Sequence, residues 1–94
     1  MRTRDDIVRR RVIARGRVQG VFFRDTVRNA ATREGVTGWV RNNPDGTLEA
    51  VFEGAPDAVD RLVALCREGP PGADVQGLDV VDEAEQGADG FRIR

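Results

Sequence analysis

The order in which the hydrophobic period changes along the 94 residues is the tightest constraint on how this chain folds. Val12, Ala14, Gly16 and Val18 fall on one side of the chain and Ile13, Arg15, Arg17 and Gln19 on the other, the alternation of a half-buried strand. Phe23, Val27, Ala30 and Ala31 then recur at helical spacing, with polar residues between them, and Gly35 closes this amphipathic helix of about three turns. Trp39 to Asn42 reads as a short strand, and Asn43-Pro44-Asp45-Gly46 encodes a tight reversal. On the way back Leu48, Ala50 and Phe52 alternate with Thr47, Glu49, Val51 and Glu53, offering one face to a core. Gly54-Ala55-Pro56-Asp57 opens a second helix whose apolar face is Val59, Leu62, Val63 and Cys66, and Gly69-Pro70-Pro71-Gly72 stops it. Gln76 to Glu83 alternates around Leu78 and Val80. After a glycine-bearing turn from Gln86 to Gly90, Phe91 and Ile93 alternate with arginines, so the last strand is interrupted or pairs with its own tail. The order β-α-β-β-α-β predicts an α+β fold of the ferredoxin-like split βαβ kind, with two helices on one face of an antiparallel sheet.

A chain of this length suits one domain around one core. Its 39% hydrophobic and 33% charged residues describe a globular protein, and no run of about 18 apolar residues is present to span a bilayer. The charged start lacks the apolar stretch of a secretory signal, so a cytoplasmic location and no membrane partner are expected. Cys66 has no cysteine to pair with, and its helical spacing marks it as a small core residue. The net charge of −1 conceals a strong skew. Residues 1–41 hold eleven arginines against four acids, a balance of +7, and residues 42–94 hold four arginines against twelve acids, a balance of −8. The first half is therefore the neighbourhood for an anion. Within it Arg9-Arg10-Arg11 reads as a solvated strand entrance. With no histidine, tyrosine or lysine, neutral-pH acid–base chemistry would need a carboxylate tuned upward by burial, and the absence of His-plus-Cys spacing argues against zinc.

The segment Gly16-Arg17-Val18-Gln19-Gly20-Val21-Phe22-Phe23-Arg24 carries a strand through a glycine turn into a helix. The amides at such a helix start have no partner within the helix, and the dipole adds about half a positive charge there, so an anion is favoured. Gly20 lets the amides turn into one concavity, and Arg24 adds a forked cation. Taken alone, the same residues serve equally well as an ordinary turn with a surface arginine. Asn42, at the end of the second strand, has a carboxamide able to hold a water by its proton, although asparagine is also common where a hairpin begins.

Two segments together resemble the acylphosphatase family, enzymes that hydrolyse mixed anhydrides of carboxylic and phosphoric acids. Gly16-x-Val18-Gln19-Gly20-Val21-x-Phe23-Arg24 is similar to the family's phosphate loop, and Gly38-Trp39-Val40-Arg41-Asn42, followed by Asp45-Gly46-x-Leu48-Glu49, to its second signature. The ending Gly90-Phe91-Arg92-Ile93-Arg94 is similar to the family's C-terminus. The resemblance spans residues 8–94 and leaves residues 1–7 as a charged tail. It implies that Arg24 grips the phosphoryl oxygens and that Asn42 orients the attacking water. It also implies that the loop of Arg17, Val18, Gln19, Gly20, Val21 and Phe22 supplies amides. Asn43 departs from the residue many members carry there and receives no role, and at Phe22 only the backbone N–H is expected to matter.

The chemistry agrees with that implication. An acyl phosphate releases a carboxylate, already a stable anion at neutral pH, so no protonated side chain must assist its departure. Positioning of water and electrostatic stabilisation of the equatorial oxygens suffice. The expected partners are a small-molecule acyl phosphate and inorganic phosphate as product and inhibitor, with no metal, no cofactor, no nucleic acid and a monomeric state. The competing reading is a binding module on the same topology, either a stand-alone relative of domains inside larger enzymes or an RNA binder. An RNA-reading sheet would need exposed stacking aromatics, and the chain has only four phenylalanines and Trp39.

Overall fold

The computed structural model describes residues 6–94, so most of the expected tail, residues 1–5, lies outside the described residues. The elements follow in the order β1 (Val8–Arg17), α1 (Phe23–Glu34), β2 (Thr37–Asn42), β3 (Leu48–Gly54), α2 (Pro56–Glu68), β4 (Asp74–Glu83) and β5 (Phe91–Ile93). They form a sheet ordered β4-β1-β3-β2-β5. Pairing is antiparallel from β4 to β2, while β5 runs parallel to β2, with Gly38 opposite Phe91 and Val40 opposite Ile93. The last strand is thus interrupted, and its second piece crosses the molecule to the far edge instead of pairing with β4. That crossing stacks the Phe91 ring on Phe52 at 5.7 Å between centroids. No helix among the described residues is long and apolar enough to cross a membrane.

The alternation in β1 and β3 delivers Val12, Ala14, Leu48, Ala50 and Phe52 to one face of the sheet. Phe23, Val27 and Ala31 of α1 and Ala58, Val59, Leu62 and Cys66 of α2 close over them as one core. At the β4 edge Val75 and Leu78 pack against the core, whereas Val80, further along the strand, is 38% exposed. Gly38 shows how tightly the strands meet. A Cβ there would lie 1.9 Å from the carbonyl oxygen of Val51, and its φ of +136° is one that side-chain-bearing residues rarely adopt.

The opposite face of the sheet corrects the expectation of a solvated arginine run. β3 lies at the centre, so its outward residues are covered too: Glu49 is 6% exposed and Glu53 5%. Arg9 donates from Nη1 to Glu53 Oε1 at 3.0 Å and from Nε to Glu83 Oε1 at 3.2 Å. Arg11 spans Glu83 and Glu49, and Arg10 on the helix side reaches Asp60 and Asp82. The positive first half and negative second half are therefore stitched together across neighbouring strands.

Glu53 also accepts hydrogen bonds from the amides of Gln86 and Gly87 at 2.8 and 2.7 Å, which fasten the β4–β5 connection over the sheet. Burial pushes this carboxyl up, but the two amides and the Arg9 guanidinium outweigh it and hold the group below the ordinary value of 4.5. A carboxylate whose pKa falls on folding stabilises the fold above its unfolded pKa, and that stability is lost as pH drops through the folded value. Glu53→Gln is expected to cost about 3 kcal/mol at neutral pH, because Arg9 keeps only part of its buried partner set. Urea unfolding of both proteins, repeated in steps below pH 4.5, should show the difference shrinking. A gap that persists unchanged into acid would refute this role for Glu53.

Candidate active site

Local backbone chemistry builds the mouth of α1. Phe22 caps the helix at φ 61°, ψ 23°, and is followed directly by helical Phe23, a left-handed-to-right-handed succession that gathers consecutive amides into a nest. Gly20, two residues earlier, has φ +75° with open space where a Cβ would be, so its conformation and not crowding calls for glycine. No amide from Gly20 to Asp25 is taken by a carbonyl among the described residues, and these donors remain available at the positive end of the helix. Arg24 stands in the first turn, exposed, with no carboxylate partner among the described residues, whereas Asp25 beside it is paired to Arg28 at 3.6 Å.

Asn42 arrives from the end of β2. Its Oδ1 is buried and has no hydrogen-bond partner among the described residues, an arrangement a folded protein rarely leaves without a use. Arg24 and Asn42 line the same cavity, about 380 Å³, together with Val18, Gly20, Phe22, Phe23, Asp25 and Ile93. The lining combines charged and polar residues with apolar ones.

Two side chains hold the walls in register. Gln19 Nε2 donates to the carbonyls of Asn43 at 2.8 Å and Thr47 at 3.0 Å, tying the loop to the β2–β3 hairpin that carries Asn42. Asn43 holds the hairpin itself: its Nδ2 donates to Thr47 Oγ1 at 3.0 Å and Glu49 Oε1 at 3.1 Å, and its Oδ1 accepts from Arg41 Nε at 2.9 Å. The cavity thus joins a nest of amides, a guanidinium and a carboxamide, the combination suited to a phosphoryl group and a water.

The acylphosphatase family model matches residues 10–93. The chain belongs to the acylphosphatase family. A curated acylphosphatase of Rubrobacter xylanophilus is 61% identical over 85 residues, covering 89% of this chain and 77% of that protein. One of Gloeobacter violaceus is 55% identical over 86 residues, covering 92% of each. An acylphosphatase structure from Coxiella burnetii superposes with a TM-score of 0.90 at 36% identity, covering 95% of this chain and 94% of that one. The chain is thus an acyl phosphate hydrolase with the ferredoxin-like acylphosphatase fold.

Within this family frame, not every residue of the sequence motif reaches the cavity. Val18, Gly20, Phe22, Arg24 and Asn42 line it. Arg17 does not: it ends β1 opposite Asp74, with an exposed side chain. Val21 packs half-buried against the core, and the Gln19 side chain is consumed by the hairpin carbonyls. Phe23, Asp25 and Ile93 are the lining residues that sequence reasoning gave no site role, although the alternation of Ile93 with arginines in β5 was visible. Cys66 lies far from this chemistry in function: it is wholly buried in the core, and burial pushes its thiol up to about 12, so no thiolate forms at neutral pH.

Proposed function

We propose that the cavity holds the phosphoryl group of an acyl phosphate, with Arg24 and the amides of the loop from Val18 through Gln19, Gly20 and Val21 to Phe22 around its oxygens, Arg17 being left to the β1–β4 ladder, and that Asn42 aims the attacking water. The water oxygen attacks phosphorus in line, and the bond from phosphorus to the bridging oxygen breaks. Its electron pair leaves on the carboxylate, and the water's proton passes to a phosphoryl oxygen of the substrate. No side chain exchanges a proton in this sequence, which suits a chain without histidine. The observation that carries the reading is the meeting in one cavity of Arg24 and Asn42 Oδ1, both without a partner among the described residues. The protein is read as a cytoplasmic monomer inhibited by inorganic phosphate, its own product.

The decisive experiment is hydrolysis of benzoyl phosphate in ¹⁸O-enriched water with a chelator present. Attack at phosphorus puts the label in inorganic phosphate. Label in benzoate instead, or turnover that stops with the chelator, would overturn the mechanism. The binding-module alternative is the weaker reading, since the two relatives above are acylphosphatases of which this chain spans 77% and 92%.

A further inference from the structure

We infer that the Phe22 side chain is the acyl-recognition element of this site, selecting substrates whose carboxylic half is aromatic over those with a small aliphatic half. The inference rests on the phosphoryl reading above and deepens it. Phe22 is 79% exposed, the most exposed of the large hydrophobic residues described. It is also the only non-glycine residue with positive φ among the described residues. A left-handed backbone costs a side-chain-bearing residue on the order of 1 kcal/mol, a cost that glycine escapes. Exposure returns little burial energy to offset it. The ring therefore adds almost nothing to folding at a position where glycine would be easier to accommodate.

What the ring does have is a location. It borders the cavity that holds Arg24 and Asn42, and Ile93 is the other partly exposed apolar residue of the lining, which the buried Val18 and Phe23 back from the core. The cavity's 380 Å³ is room for about a dozen water molecules, several times what a phosphoryl group occupies. Arg24, Asn42 and the loop amides account for the phosphate; the apolar lining residues Phe22 and Ile93 are unexplained by it. A substrate bound through its phosphoryl oxygens must direct its acyl group out of the nest, and Phe22, the cap residue of α1, lines the same cavity with its ring largely exposed. Aromatic pairs of this kind gain from both burial and ring geometry.

The test compares kcat/KM for benzoyl phosphate and acetyl phosphate in the wild type, Phe22→Asn and Phe22→Gly. Both replacements adopt the left-handed conformation readily, so the amide nest persists. Any general damage to phosphate binding would lower both substrates alike and cancel in the ratio. We expect the benzoyl-to-acetyl ratio to fall about tenfold in both variants, with the urea midpoint of Phe22→Gly no lower than that of the wild type. A ratio within twofold of wild type, or equal losses on both substrates, would overturn the acyl-recognition role. Failure of the phosphoryl reading would look different: the wild type would place the ¹⁸O label in benzoate, whatever the substrate ratio of the Phe22 variants.

Discussion

Arg24→Ala is expected to lower kcat/KM for benzoyl phosphate by roughly a hundred- to several-thousandfold, or about 3 to 5 kcal/mol of transition-state stabilisation. Arg24 is the one guanidinium on the cavity wall, and no ion pair among the described residues diverts it. Charge grows on the equatorial oxygens as the bond to the leaving carboxylate loosens, so a fixed cation beside them matters most at that moment. Because the side chain is exposed, its removal should leave urea unfolding within about 0.5 kcal/mol of wild type. Arg24→Lys keeps a charge but loses the planar fork, and should recover only part of the activity. Turnover by Arg24→Ala within tenfold of wild type would exclude it as the phosphoryl clamp.

Asn42→Ala should cut kcat by a similar factor, with the inhibition constant for inorganic phosphate almost unchanged. The split between the two quantities is the diagnostic. Asn42 Oδ1 has no hydrogen-bond partner among the described residues to give up, so the loss would report on the group it orients and not on a weakened hairpin. The hairpin is held by its neighbour instead, through Asn43, Thr47 and Glu49. Parallel losses in turnover and phosphate affinity would assign Asn42 to phosphate binding and remove its water-orienting role.

Much of the scaffold was legible because each element announces itself by period and punctuation. Gly35 and Pro56 mark the end of α1 and the start of α2, and Asp45-Gly46 fixes the hairpin. The destination of β5 was not legible, since three residues after a glycine turn carry no information on which edge they join. The buried fate of Arg9, Glu49 and Glu53 was hidden for a related reason: alternation tells that two faces exist, but not that a central strand is covered on both by long side chains from its neighbours. At the site, Arg24, Gly20 and Asn42 stood out by residue type. Gln19 and Asn43 did not, because a carboxamide bonded to carbonyls or turn side chains across a loop depends on where the chain returns, which spacing alone does not encode.

Surface hairpins generally tolerate inserted residues better than any other part of a domain. The β2–β3 turn should be an exception. Gln19 measures the distance from the phosphate loop to two specific carbonyls on either side of that turn, so one additional residue between them would change the aim of Asn42 without unfolding anything. Length variation among relatives is then expected to accumulate elsewhere, and a deep mutational scan should find this exposed bend as intolerant of insertion as the hydrophobic interior.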